Sequence, residues 1–575
     1  MAKSNPPGKS AAHPDQEAHS HIPIVGIGAS AGGLEALEEL LQHMPVDSGL
    51  AFVVIQHLDP DHHDIMPELL QRSTTMPVAH AGDGMRLEAD HVYIIPPNKY
   101  LSLLDGVLYL LEPTEPRGRR LPIDYFFRAL ADERHERAIG VILSGMGSDG
   151  TLGLRAIKEH AGLAVVQEPE TAKFDAMPRS VITAGLADIV APAKELPEKI
   201  IAYAHHLSPE GRPLIPAAES SASRNSLEKI FILLRSHTGH DFSLYKKSTV
   251  YRRIDRRMGI HQINRIADYV RYLNENPQEL QLLFKELLIG VTNFFRDPEA
   301  WATLQERVLP ELLANAPAAG KSMRAWVAGC STGEEAFSLA MAFKETLDLL
   351  KPRGRFSLQI FATDLDPDAI EKARQGLYPS NITADVSPER LARFFVEEGN
   401  GYRVSKEIRE MVVFAPQNVI MDPPFTKLDI LCCRNLLIYL GAELQRKLLP
   451  LFHYSLIPGG ALFLGSAETI GSFTDLFTPL EGKARLFKRI GGPSLAVDFP
   501  SRHHPAPAHP PEEPKEIAAP VNLQALADRV LLQHFSPAAV LVNTEGDLVY
   551  INGRTGKYLE PAAGKANWNI YAMAR

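Results

Sequence analysis

Ser30 stands in Gly28-Ala29-Ser30-Ala31-Gly32-Gly33, directly after the apolar run Ile22 to Gly26. Two chemistries compete for that pattern. Gly26-x-Gly28-x-x-Ala31 fits a relaxed dinucleotide fingerprint, with Asp59 after the next strand, where a ribose-binding acid would stand. Gly28-x-Ser30-x-Gly32 fits a nucleophile elbow, in which small neighbours let a strained serine project from a strand end. The local pattern leaves both open, and two other strand ends decide between them. Leu50 to Ile55 reads as a strand closing on Gln56-His57, and Ala138 to Leu143 as one closing on Ser144-Gly145-Met146-Gly147-Ser148-Asp149-Gly150. Strands of a parallel sheet share one carboxyl edge, so Ser30, His57 and Asp149 can converge there as nucleophile, base and orienting carboxylate. Their order differs from that of the common hydrolases, but roles define a triad, not order. The chemistry is acyl transfer through a serine.

A second stretch, Val327-Ala328-Gly329-Cys330-Ser331-Thr332-Gly333-Glu334-Glu335, follows the apolar run Met323 to Ala328. Ala336, Leu339, Ala340, Phe343 and Leu347 then recur at helical spacing, giving the strand, turn and helix that open a nucleotide-binding α/β domain. The turn is not a P-loop, because no Lys-Ser/Thr follows Gly333, and it lacks G-x-G-x-x-G spacing. Glu334 and Glu335 would repel a pyrophosphate and suit a cationic group, such as the amino group of S-adenosylmethionine. Phe356 to Ala362 reads as the next strand, and Asp364 beyond it stands where such folds hold ribose hydroxyls.

Flanking motifs add a resemblance. Thr292-Asn293-Phe294-Phe295-Arg296 upstream and Cys433-Arg434-Asn435-Leu436-Leu437-Ile438-Tyr439 downstream, with the glycine turn between, resemble the CheR family of chemoreceptor glutamate methyltransferases over residues 224 to 490. That resemblance implies S-adenosylmethionine as cofactor, surrounded by Thr292, Arg296, Glu334, Asp364, Asn418, Val419, Cys433 and Arg434. It places Tyr439 near the transferred methyl and gives Arg296 a catalytic as well as a binding role. Gly290 departs from the pattern, standing where the family often has a polar cofactor contact. The stretches G-A-S-x-G-G, Q-H and G-M-G-x-D-G resemble the catalytic domain of CheB, the chemoreceptor methylesterases, over about residues 22 to 205. By that resemblance Ser30 is the nucleophile, His57 the general base and Asp149 its orienting carboxylate. The Met146 backbone N–H and an N–H near Ser30 become the oxyanion donors. Members of that family typically carry a phosphate-receiver domain first; residues 1 to 21 are too few for one, so phosphorylation control in cis is not expected.

The elements that must position these groups follow from length and composition. A chain of 575 residues predicts three or four domains, and 45% hydrophobic with 22% charged residues describes an ordinary globular protein. A net charge of -9 gives no global attraction to nucleic acid or anionic membrane. The three cysteines, Cys330, Cys432 and Cys433, offer no zinc spacing and suit a reducing cytoplasm; no metal is expected. Apolar runs are strand-sized, so no membrane insertion is expected, and residues 1 to 21 have no signal-peptide core. His62-His63-Asp64 reads as a solvated loop rather than a metal site.

The expected fold class is multidomain α/β. It comprises a polar tail (1–21), a doubly wound parallel-sheet esterase domain (22–205), a linker (206–223), a small all-α domain (224–290) and a Rossmann-like transferase domain (291–490). A proline-rich linker (491–521) and an incomplete α+β PAS domain (522–575) complete it. In the all-α segment, Lys246, Lys247, Arg252, Arg253, Arg256 and Arg257 read either as a solvated helix face or as a basic surface for an acidic partner helix. Residues 380 to 416 are expected to form a small antiparallel flap, whose Glu397 to Tyr402 turn suits receptor binding that needs no tail peptide. Asp422-Pro423-Pro424-Phe425 resembles the amine-binding motif of nucleic-acid N-methyltransferases, yet it precedes the strand Leu428 to Cys432 and so sits at the wrong end. Asn522 to His534 reads as a helix. Ala538 to Val542 and Leu548 to Ile551 read as a hairpin resembling the start of a PAS domain, cut short as in a fragment of a longer protein.

The function expected is a bifunctional enzyme of chemotaxis-type signalling. It methylates receptor glutamates and hydrolyses the resulting esters, with glutamine deamidation as an adjunct. Partners expected are chemoreceptor-like proteins with acidic helices, and a histidine kinase or response regulator of the same pathway. A scaffold with degenerate catalytic domains has no need of Ser30, His57 and Asp149, and a nucleic-acid methyltransferase is disfavoured by charge and by the misplaced D-P-P-F.

Overall fold

The computed structural model describes residues 22–57, 65–113, 120–207, 221–317, 320–399, 401–480, 482, 484–491, 539–544, 548–552 and 570. Residues 1 to 501 form one compact unit and 502 to 575 a second. Asp59, His62, His63, Asp64, most of both linkers and the helix expected at Asn522 to His534 lie outside the described residues.

The first domain runs β1 (Ile24–Ala29), α1 (Gly33–His43), β2 (Ala51–Gln56), β3 (Val78–His80), β4 (His91–Ile94), α2 (Pro122–Arg134), β5 (Ala138–Ile142), α3 (Thr151–Glu159), β6 (Leu163–Gln167), β7 (Ile189–Ala191) and α4 (Leu196–Leu207). Its sheet is parallel throughout, in the order β7-β6-β5-β1-β2-β4-β3. Every residue of β1 and β5 is buried, as strands covered by helices on both faces must be. Gly28 is required by packing. A Cβ there would lie 2.5 Å from Ile123 Cγ2, so its absence lets α2 sit directly on β1. The chain leaves β1 towards β2 and later returns to its other flank as β5, so the switch point lies at the carboxyl ends of these three strands.

The all-α domain has four helices, α5 (Ser221–Thr238), α6 (Lys247–Ile260), α7 (Ile266–Glu275) and α8 (Pro277–Leu288), around Ile230, Leu234, Phe242, Ile254, Tyr269 and Leu283. α4 extends to Leu207 and α5 starts at Ser221, so helix occupies both ends of the stretch read as linker. The basic residues of α6 divide. Lys246, Lys247 and Arg252 are exposed, whereas Arg253, Arg256 and Arg257 are buried. This corrects the solvated-face reading for half of the cluster. Arg257 pairs with Glu279 and Arg256 with Glu286 and Asp188, so half the cluster is interior and neutralised.

The transferase-like domain continues with β8 (Gly320–Ala328), α9 (Glu334–Leu350), β9 (Arg355–Asp364), α10 (Pro367–Gln375), β10 (Val412–Pro416), β11 (Leu428–Cys433), α11 (Ala442–Ser455), β12 (Leu456–Leu464), β13 (Phe477–Pro479) and β14 (Leu486–Arg489). The sheet order is β10-β9-β8-β11-β12-β14-β13, with β14 antiparallel to both β12 and β13 and the rest parallel. The flap is a separate antiparallel sheet of Leu377–Pro379, Phe395–Glu398 and Gly401–Val404. Its expected span was shifted: Val412–Pro416 belongs to the main sheet, pairing parallel with β9. Asp422 accepts the Asn418 N–H at 2.8 Å and Phe425 stacks on Phe361 at 4.5 Å, so D-P-P-F is a packed turn. In the second unit, Ala539–Val542 and Leu548–Asn552 pair antiparallel, as the hairpin reading expected. No described helix is long and apolar enough to cross a membrane.

Candidate active sites

The triad residues meet at the carboxyl edge of the first sheet. Ser30 follows β1, His57 follows β2, and Asp149 lies in the loop from β5 to α3. His57 Nδ1 is 3.1 Å from Ser30 Oγ, and His57 Nε2 is 3.0 Å from Asp149 Oδ2. The ring thus presents an acceptor to the hydroxyl when its Nε2–H donates to the carboxylate. Asp149 is buried and accepts three backbone N–H bonds, from Ile123 at 3.0 Å, Asp124 at 2.9 Å and Gly150 at 2.9 Å. Two of those donors belong to the first turn of α2, whose free N–H groups favour a negative charge. The carboxylate is therefore held in one orientation before any substrate arrives.

The turn at Ser30 departs from the strained elbow. Ser30 itself is not left-handed; Gly32 takes that conformation with φ 67°, and a Cβ there would meet Lys173 Cβ at 2.8 Å. The Ser30 N–H is spent on Ser144 O at 3.0 Å, so the donor near the nucleophile must be a following N–H. Met146 is 60% exposed on the rim, and among the described residues no acceptor takes its N–H. Asp124, unnoticed in the sequence, is buried behind Asp149. Burial and then the Asp149 charge push its carboxyl well above the usual range, while its Oδ1 accepts Gly153 N–H at 2.6 Å.

At the switch point of the second sheet lies a cleft lined by Asp364, Asn418, Val419 and Tyr439, with Gly329, Leu287, Leu365, Ile420 and Leu436. Asp364 accepts N–H bonds from Ser331 at 2.8 Å and Asp366 at 2.9 Å; burial pushes its carboxyl up. Ser331 is held left-handed, φ 47°, with its hydroxyl on the Gly290 carbonyl at 3.1 Å. An aliphatic wall, a buried carboxylate at a strand end, a glycine turn and a Gln417 Oε1 with no partner among the described residues suit a nucleoside with hydroxyls to donate.

The other four expected cofactor residues besides Arg296 lie apart from that cleft. Cys433 is fully buried in the core between β11 and α11. Arg434 is buried over Phe463, its guanidinium on Asp297 at 2.7 Å and the Arg296 carbonyl at 2.7 Å. It also stands 3.5 Å from Glu335, whose carboxyl burial lifts to about 7. Glu334 is buried, accepts from Thr332 Oγ1 at 2.6 Å and lies 3.7 Å from Arg155 of α3. The Thr292 carbonyl accepts from the same Arg155 at 2.8 Å. Arg296 pairs with Glu159 at 2.5 Å; burial works to lower its guanidinium, but the Glu159 charge and hydrogen bond outweigh it. Burial, then Glu159, raise the Tyr439 phenol. Sequence reasoning missed His240. Its Nδ1 lies 2.9 Å from Asn418 Nδ2 and its Nε2 3.0 Å from Tyr245 Oη, and burial lowers it to about 4, leaving a neutral acceptor for the amide. The spacing of His240 and Tyr245 beside the basic run was the available signal.

Comparison with known proteins divides the chain along the same lines. Residues 25–200 match the model described as CheB methylesterase, 225–288 the CheR methyltransferase all-alpha domain, and 290–486 the CheR methyltransferase SAM binding domain. A 104.1 kDa uncharacterized Rhodobacter capsulatus protein is 36% identical over 88% of this chain, which spans 55% of that relative's length. Chemotaxis protein methyltransferase 1 of Pseudomonas aeruginosa is 33% identical, covering 44% of this chain and 94% of its own. The crystal structure of the Thermotoga maritima CheB methylesterase catalytic domain is 32% identical over 31% of this chain and 97% of its own, with a TM-score of 0.30. The chain belongs to the chemotaxis protein methyltransferase family and joins a CheB methylesterase domain to a CheR methyltransferase whose cofactor is S-adenosylmethionine.

Proposed function

We propose that this chain writes and erases methyl esters on receptor glutamates, one domain for each step. The observation that carries the reading is the Ser30–His57–Asp149 chain of contacts standing in one compact unit with the Asp364 cleft. In the esterase, Ser30 Oγ attacks the glutamyl ester carbonyl while His57 Nδ1 takes its proton. Asp149 steadies the imidazolium, and the N–H groups of Met146 and of the turn after Ser30 receive the developing oxyanion. His57 returns the proton to the departing methanol, and water repeats the sequence on the acyl-enzyme. A glutamine side chain could enter the same path and lose ammonia.

In the transferase, Asp364 would hold ribose hydroxyls, Asn418 and Val419 the adenine side, and Glu334 and Thr292 the amino-acid end; Cys433 and Arg434 support that wall from the core. Bound there, S-adenosylmethionine supplies an electrophilic methyl group. A receptor glutamate is ionised at neutral pH and needs no base. Arg296 and Tyr439 align its carboxylate, and alignment is the main catalytic contribution. We place the chain in the cytoplasm, acting on acidic receptor helices beside a histidine kinase or response regulator, and read the hairpin at Ala539 as the start of a PAS domain. Methyl-labelled cofactor with a glutamate-rich receptor fragment and the Ser30→Ala protein tests the reading: base-labile label on the fragment is expected, and label on nucleic acid or on nothing contradicts it.

A further inference from the structure

Helix α3 begins two residues after Asp149 and carries its last turns into the transferase. Arg155 donates to the Thr292 carbonyl at 2.8 Å and lies 3.7 Å from Glu334. Glu159, the final residue of the helix, puts its carboxylate on Arg296 at 2.5 Å, beside Tyr439. From α6, Arg253 donates to the carbonyls of Lys158 at 2.8 Å and Glu159 at 2.7 Å, and Arg256 to that of Gly162 at 2.9 Å. Cations thus cap the carboxyl end of α3, where the helix dipole favours them. Arg256 also reaches Asp188 of the esterase domain.

These contacts share one chemistry. A carboxylate on a helix meets Arg296, a cation meets Glu334, and acidic or carbonyl oxygens meet the arginines of α6. We propose that α3 is an internal occupant of the transferase: Glu159 stands where the acceptor glutamate's carboxylate binds, and Arg155 where the cofactor's cationic end binds. This rests on the reading of Arg296 and Tyr439 as the acceptor end of that site. The arrangement is a closed transferase beside an open esterase, since His57 and Met146 remain exposed. An acidic receptor helix offers Arg296, Arg253 and Arg256 the same oxygens that α3 does, so it displaces α3 by exchange and leaves no bare buried charge.

The test uses the full chain. Ser148 Oγ and Ser380 Oγ, one on each domain, lie 3.4 Å apart, and all three native cysteines are buried. Ser148→Cys with Ser380→Cys, oxidised, should lock α3 in place and abolish methylation of a glutamate-rich receptor fragment, with recovery on reduction. X-ray scattering of the reduced double variant should coincide with that of the locked one until the fragment is added, then expand. Glu159→Gln, which keeps the shape of the side chain, should lower KM for the fragment about tenfold, as expected if the closed state leaves roughly a tenth of molecules competent. Its kcat should hold steady, while S-adenosylhomocysteine, whose cationic end Arg155 excludes in the closed state, should bind more tightly by the same factor. A locked protein that methylates normally, or a Glu159→Gln variant with unchanged KM, overturns the proposal. If the fragment is never methylated while locked and reduced proteins scatter alike, the acceptor reading fails and the closed arrangement stands.

Discussion

The two active sites differ in what completes them. The esterase triad is assembled by its own domain, with Asp149 fixed by three backbone donors and His57 within reach of both partners. The proposed transferase site is shared. Its cleft belongs to residues 240–439, but Arg296, Glu334 and Thr292 spend their polar groups on α3 of the neighbouring domain. A preorganised site suits hydrolysis, where water is always at hand. A site held by a displaceable helix suits transfer of a methyl group that must wait for its acceptor.

The sharpest way to break that contrast is at Asp149. In Asp149→Asn one oxygen becomes an NH2, which must face either the Asp124 and Gly150 donors or His57. Ester hydrolysis should fall by about 10³–10⁴, the scale for a base held in the wrong tautomer. Methyl transfer should persist; its loss to the same degree, with the fold retained, would contradict two separate chemistries.

Next comes Asp364→Ala. It removes a carboxylate that also ties Ser331 and Asp366 backbone N–H groups together. Cofactor affinity should drop by roughly 1.5–3 kcal/mol by calorimetry, the range for a hydrogen bond to a charged group. Ester hydrolysis should not change.

The two sites also differ in how far the sequence revealed them. Ser30, His57 and Asp149 each sit just past an apolar strand, so sheet topology alone brings them together. Asp364 was placed at a strand end by the same reasoning, whereas Asn418 entered only through the family resemblance. Arg434 was not, because direction cannot be read from a strand end: its side chain turns inward over Phe463 to meet Asp297 and Glu335. Buried Arg253, Arg256 and Arg257 looked like a surface cluster because their partners Glu286, Asp188 and Glu279 lie far off in the chain. The flap's limits slipped because Val412–Pro416 is a short strand whose partner, β9, lies about fifty residues earlier.

A smaller effect should appear in acid. Glu279 is buried; burial opposes its charge, but His261, Arg257 and Tyr269 outweigh burial and hold its carboxyl near 2, against about 4.5 unfolded. The stability it contributes is full above pH 4.5 and drains away as pH falls towards 2, by about 3 kcal/mol if fully realised. Thermal unfolding followed by circular dichroism should show that loss in wild type and a flatter slope between pH 4.5 and 3 in Glu279→Gln. Equal slopes would mean the α6–α8 pairing does not govern acid stability.

A chain that makes and hydrolyses the same ester must pass methyl label from cofactor to receptor and on to methanol. The direct measurement is volatile label from methyl-labelled S-adenosylmethionine, with a receptor fragment present, for wild type and Ser30→Ala. Wild type should pass label through the fragment and release it as methanol. Ser30→Ala should release none and let the label accumulate on the fragment. If both load the fragment equally and neither releases methanol, the two domains do not serve one substrate.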